Sequence, residues 1–156
     1  MPLTRSQNMA RIHGKDTKPE IRVRKALHAK GFRFRVNVRS LSGTPDIVLP
    51  KYKTCVFVNG CFWHGHDKCS FYSRPKSNKE FWQDKVRRNK ARDELVIAKL
   101  SSMGWYCVSV WECELKKAVF ENTMEALAAT IRGNRERWEQ EKARKQQEHM
   151  QAKERK

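Results

Sequence analysis

The sequence predicts an α/β fold, a mixed sheet covered by helices on both sides, and three observations carry that expectation. Helical patterns open and close the chain, short β-branched apolar runs lie between them, and a further long helical pattern is inserted between two of those runs.

Thr17-Lys18-Pro19-Glu20 has the form of a capping box with proline in the first turn. Ile21, Leu27 and Gly31 add apolar positions and a stop, which predicts a helix from about 18 to 30. Phe32, Phe34 and Val36 alternate with Arg33 and Arg35, the period of a half-buried strand pairing as an outer hairpin member. The turn-rich stretch from Ser40 to Pro45 leads to Asp46 and a short strand, Ile47-Val48-Leu49, that Pro50 ends. Cys55 to Val58 is the next strand, apolar enough to be buried on both faces. Asn59 to about Lys76 breaks all periodicity. Ser77-Asn78-Lys79-Glu80 reads as a second capping box, opening a helix that Gly104 ends. A third core strand follows from Trp105 to Trp111, then a closing helix from Lys116 to Arg132. A chain of 156 residues is the size of one domain. We expect it over 1–133, with a basic arm at about 1–16. The stretch 134–156 lacks a hydrophobic stripe and reads as a charged tail, either solvated helix or disordered.

Lysine and arginine number 34 against 17 acidic residues, giving a net charge of +17 and a pI near 10.1. A polyanionic partner follows, with nucleic acid first among the choices. Residues 1 to 39 hold eleven of the basic residues and only two acids, Asp16 and Glu20, as a DNA-tracking arm would. No apolar run approaches the roughly 18 residues of a spanning helix, and no signal-peptide core opens the sequence, so a cytoplasmic location with no membrane partner is expected. In a reducing compartment the five cysteines read as thiols or metal ligands rather than as a disulfide framework.

The aperiodic loop carries the strongest chemistry. Cys61, His66 and Cys69 offer soft ligands at spacings that a tetrahedral zinc accepts, and Cys113, just past the third core strand, can complete the shell. The other reading is reduced thiols with surface histidines. A structural zinc would pin a loop of a length that compact domains seldom leave free. Cys55 and Cys107 fall inside strands and read as core. Phe62 and Trp63 in the loop, and Trp82 at the head of the next helix, are either core or wedges that unstack base pairs. On that helix Trp82, Lys85, Val86, Asn89, Asp93, Val96, Ile97, Leu100 and Met103 share one drifting face. Its first half is polar, which leaves Lys85 and Asn89 as a solvated face or as groups aimed at DNA. Glu20, Pro45-Asp46 and the strand ending at Val58 resemble the PD-(D/E)xK nuclease arrangement, in which carboxylates hold Mg²⁺ by its preference for hard oxygen ligands. The usual Glu-x-Lys is replaced by Phe57-Val58-Asn59.

Arg5-Ser6-Gln7-Asn8-Met9, Gly43-Thr44-Pro45-Asp46, Val58-Asn59-Gly60-Cys61-Phe62-Trp63-His64, Glu80-Phe81-Trp82, Arg88-Asn89 and Val110-Trp111-Glu112-Cys113 occur in that order. Together, over about residues 4 to 132, they resemble the very-short-patch-repair mismatch endonucleases. The resemblance implies a restriction-endonuclease-like fold with a structural zinc, and an enzyme that nicks DNA on the 5′ side of the thymine in T·G mismatches left by 5-methylcytosine deamination. It further implies roles. Asp46 binds catalytic Mg²⁺ together with the backbone carbonyl of Val58; His64 is general base or water positioner; Glu20 orients the metal's water. Cys61, His66, Cys69 and Cys113 hold zinc. Phe62, Trp63 and Trp82 wedge into the stack from the major groove, Met9 and Ile12 enter from the other side, and Lys85 and Asn89 read the wobble pair. Asn59 stands where family members often have histidine, which places more of the chemistry on His64. The resemblance implies a monomer working on bacterial nucleoid DNA in the cytoplasm, with room for contacts with mismatch-repair proteins. Two alternatives share the same features: a restriction-type or junction-processing nuclease, and a zinc-stapled DNA-binding module without catalysis.

Overall fold

A computed structural model describes residues 17–61, 64, 66, 69 and 77–155. In chain order the elements are α1 (Lys18–Ala29), β1 (Arg35–Val36), β2 (Ile47–Leu49), a 3-10 turn (Pro50–Tyr52), β3 (Thr54–Asn59), α2 (Lys79–Ser102), β4 (Tyr106–Trp111), a second 3-10 turn (Glu112–Leu115) and α3 (Phe120–Glu154). Four strands form one mixed sheet in the order β1-β2-β3-β4. β1, β2 and β3 pair antiparallel, whereas β4 lies parallel to β3. That difference follows from the connections. Pro50–Tyr52 and Lys53, in the left-handed region at φ 52°, are enough to reverse the chain between β2 and β3. A parallel neighbour needs a crossover, and α2 supplies it.

Side chains alternate across the sheet and divide the core in two. Ile47, Leu49, Val56 and Val110 point toward α1 and α3, where they meet Val23, Leu27, Met124, Leu127, Ala128 and Ile131. Val48 and Cys55 point the other way and pack with Phe57, Val96, Leu100, Trp105 and Cys107 under α2. Helices thus cover both faces, as the order of patterns in the sequence predicts. Fully burying each of these aliphatic side chains contributes about 1.5–3 kcal/mol.

Both connections from a helix into a strand begin with the same cap. After α1, Gly31 at φ 92° lets its own N–H reach His28 O and the Phe32 N–H reach Leu27 O. After α2, Gly104 at φ 91° does the same, with Gly104 N–H on Ser101 O and Trp105 N–H on Leu100 O. These are Schellman motifs, in which only glycine adopts the required conformation without strain. The cap explains why β1 is shorter than the alternation over 32–36 predicts. Phe32 is committed to ending α1 and is buried edge-on against Tyr52, with ring centroids 5.2 Å apart. Val36 is exposed.

Two capping expectations fare differently. Thr17 Oγ1 accepts the Glu20 N–H at 3.4 Å, so half of the first box forms. The Glu20 carboxylate takes the Arg24 guanidinium at 3.1 Å. The box expected at Ser77 to Glu80 is absent: Asn78 is the cap residue, left-handed at φ 54°, with no side-chain cap bond. The closing helix begins at Phe120 rather than Lys116, since Glu112–Leu115 wind into a 3-10 turn, and it runs without a break through Gly133 to Glu154. Among the described residues no helix is long and apolar enough to cross a membrane.

Candidate active site and metal centre

The sequence places an acid at the start of β2, and the fold gives it neighbours. Asp46 O accepts the Asn37 N–H at 3.2 Å, fixing the head of the strand, and Asp46 Oδ2 accepts the Val58 N–H at 2.7 Å. A residue's N–H and C=O leave a strand on the same side, so the Val58 carbonyl is turned toward the same strand. Continuing the register two steps past Ile47↔Val56 sets Val58 opposite Pro45, which has no N–H to give that carbonyl. Glu20, on the first turn of α1, brings a second carboxylate to Asp46, and Arg24 pairs with Glu20 one turn further on. Burial pushes the Asp46 carboxyl from its ordinary 3.8 up to about 7, against the Val58 N–H, which favours the anion; the Glu20 charge raises it further and Arg24 pulls it back. Two carboxylates and a carbonyl make a hard oxygen donor set, which fits Mg²⁺. Where a Glu-x-Lys would stand, Phe57 faces the α2 core and Asn59 is buried.

A histidine stands at the same end of the sheet. The His64 N–H bonds Gly60 O at 3.2 Å, and its Nδ1 lies 2.6 Å from Asp93 Oδ2 on α2. A carboxylate on Nδ1 fixes the ring and its tautomer and leaves Nε2 for proton transfer. Asp93 is the functional partner that reading the sequence missed. Nothing in the chain links positions 64 and 93; the available hint was an acid lying in the α2 stripe between Asn89 and Val96.

The four expected soft ligands converge. One ligand atom from each of Cys61, His66, Cys69 and Cys113 lies within 4.8 Å of the others. The parallel register explains the pairing of Cys61 with Cys113: Asn59 is opposite Trp111, and each cysteine comes two residues later. Cys113 N–H donates to Cys61 Sγ at 3.4 Å, Cys113 Sγ is 3.4 Å from His66 Nδ1, and the His66 ring stacks on Trp111 at 4.2 Å. Burial pushes the Cys61 thiol up to about 12 and also raises Cys113. A metal ion reverses that preference by binding thiolates. Tetrahedral zinc places its ligand atoms about 3.5–4 Å apart, close to the spacing here.

Around this end the N-terminus of α2 presents Phe81, exposed and edge-on to Trp82 at 5.3 Å, with Lys85 Nζ 5.7 Å from the Trp82 ring. Trp82 is 9 % exposed, and Lys85 and Asn89 are half-buried. Met9, Ile12, Phe62 and Trp63 lie outside the described residues.

The chain is similar to known proteins over most of its length. Residues 1–70 match the family described as DNA mismatch endonuclease Vsr. The chain is 47 % identical over 129 residues to the type II nicking enzyme V.NmeAIP of Neisseria meningitidis, covering 82 % of this chain and 91 % of that one. It is 45 % identical over 114 residues to the type II nicking enzyme V.XorIIP of Xanthomonas oryzae pv. oryzae, covering 73 % and 83 %. It is 42 % identical over 113 residues to the DNA mismatch endonuclease Vsr of Escherichia coli, covering 72 % of each chain. With the fold, the Cys/His cluster and this extent of identity together, the chain is an endonuclease and belongs to the Vsr family of DNA mismatch endonucleases.

Proposed function

We propose that this endonuclease nicks duplex DNA 5′ to the thymine of T·G mismatches that arise from 5-methylcytosine deamination, with Mg²⁺ as its catalytic ion and Zn²⁺ as a structural one. The observation that carries the reading is the Asp46 carboxylate at the head of β2, bonded to the Val58 N–H at 2.7 Å with Glu20 beside it, a hard oxygen site that a divalent cation fits. Asp46 and the Val58 carbonyl would hold Mg²⁺, whose charge stabilises the phosphate in the transition state. Glu20 orients the attacking water from the first turn of α1. His64, held by Asp93, takes that water's proton on Nε2. Arg24 keeps Glu20 in place.

Cys61, His66, Cys69 and Cys113 would hold zinc and so tie the segment after β3 to the one after β4. Phe62, Trp63 and Trp82 serve as wedges from one groove and Met9 and Ile12 from the other. Lys85 and Asn89 read the exposed edges of the wobble pair. Trp82 is largely buried in the free protein, so its insertion requires it to turn out of its bed when DNA arrives. Unstacking costs a few kcal/mol per step and less at a mismatch, which converts weak stacking into selectivity. The protein acts as a monomer on nucleoid DNA in the cytoplasm, where such mismatches form.

The test is nicking of an end-labelled duplex carrying T·G or C·G at the same position, with Mg²⁺ or with chelator. Cutting of T·G alone, and only with Mg²⁺, is expected. Equal cutting of both duplexes, or cutting in chelator, refutes the reading.

A further inference from the structure

We propose that the groove between α1 and the chain entering β1 seats the DNA backbone beside the phosphate that is cut, with Lys25 and His28 as its phosphate-binding residues. The inference rests on the nuclease reading above and extends it from the reacting centre to the path of the strand. The groove, of about 320 Å³, is lined by Arg24, Lys25, His28, Ala29 and Phe34, with three basic side chains and no acidic one.

Its position follows from helix geometry. Glu20, Arg24 and His28 are spaced i, i+4, i+8 and therefore form one row along α1, each about 6 Å from the next. The row begins at the carboxylate that faces Asp46, passes Arg24, which touches both the Glu20 carboxylate and the groove, and ends at exposed His28. A nucleic-acid strand advances about 3.4 Å per nucleotide along its axis, so the 12 Å or so from Glu20 to His28 spans a few phosphates. Of the other basic residues along and just after α1, Arg22 lies over the Phe120 ring at 4.5 Å and Lys30 pairs with Glu125, while Lys18 stands exposed at the head of the helix, ahead of the groove. Among the described residues no side-chain hydrogen bond or ion pair engages Lys25 or His28, and both are exposed. Phe34, which packs on the core, also lines the groove. Cationic side chains in a row leading away from the Asp46–Glu20 pair suit a continuous chain of phosphates.

The experiment compares the double variant Lys25→Gln/His28→Gln with the matched pair Lys145→Gln/His149→Gln on the distal, exposed part of α3. Binding of a short duplex is measured in chelator over a range of salt, so that no cutting occurs, and nicking is measured separately at saturating DNA. The groove variant is expected to bind roughly tenfold more weakly near 0.1 M salt, with a log–log salt slope shallower by about one. The distal pair should leave the slope unchanged. Equal effects from both pairs would show that only net charge matters and would overturn the groove, as would an unchanged slope in the groove variant. If wild type fails to cut T·G duplexes at all, the nuclease reading falls, and the chelator binding data still judge the groove.

Discussion

Asp46 sits half-buried at the head of β2, beside Glu20. Its carboxyl is raised from 3.8 to about 7, so the metal-free folded protein holds a proton there that the unfolded chain has released. The stability this group contributes is fully present below pH 4 and is lost as pH rises through about 7. Asp46→Asn removes that dependence. We expect the metal-free variant to melt about as wild type does near pH 4 and a few degrees higher at pH 8, while its nicking falls by far more than tenfold. Mg²⁺ should raise the melting temperature of wild type at pH 8 and leave the variant unmoved. A variant that melts lower than wild type at pH 8 contradicts the assignment. Asp93 makes a separate prediction at the same scale. Asp93→Asn keeps the shape but loses the charge beside His64 Nδ1, so kcat should drop roughly 10- to 100-fold, with little change in DNA affinity. An affinity loss with normal kcat would instead make Asp93 a binding group.

At the scale of elements, α3 and the cysteine cluster are the parts on which reading the sequence and viewing the fold differ most. Charge composition alone sets the end of the domain near 133, because 134–156 shows no apolar stripe. The helix nonetheless continues, and its next turns touch the sheet: Asn134 is buried and donates to Thr54 Oγ1 at 3.1 Å, and Lys53 lies between the rings of Trp105 at 4.7 Å and Trp138 at 6.0 Å. One asparagine and one tryptophan are too sparse to register as periodicity, although they are enough to anchor two turns. We propose that the folded unit extends to about Trp138. Truncation after 133 should lower Tm by about 5–10 °C through the lost buried hydrogen bond and ring packing, whereas truncation after 142 should cost only a degree or two. The cysteine cluster is the opposite case. Its residue types and spacing suggest a metal site and the family resemblance names its four members, while the parallel pairing of β3 with β4, invisible in the chain, is what joins Cys113 to Cys61. Cys69→Ser is expected to lose both bound zinc and the cooperative melt, measured by metal analysis and circular dichroism. A fully folded, zinc-free wild type would contradict the site.

For the whole molecule, the division of labour follows from the sheet. Its two buried faces make the core, and the end where β3 and β4 finish gathers Asp46, Val58, His64 and the cysteine cluster from segments far apart in the chain. The Cys/His cluster at that end was legible beforehand because cysteine and histidine are uncommon residue types and stand close together in the loop, whereas Asp46, Glu20 and His64 were singled out by the family resemblance. What stayed hidden were residues whose roles depend on contact alone: Arg24 beside Glu20, and Asp93 beside His64. The central claim is that these groups make one metal-dependent centre directed at a T·G pair. The most direct measurement maps the nick on an end-labelled T·G duplex in Mg²⁺, with wild type and Asp46→Asn side by side and binding of both monitored. The account expects a single break 5′ to the mismatched thymine from wild type, and no break from a variant that binds the duplex equally well. Cleavage by Asp46→Asn within tenfold of wild type, or breaks indifferent to the mismatch, would contradict it.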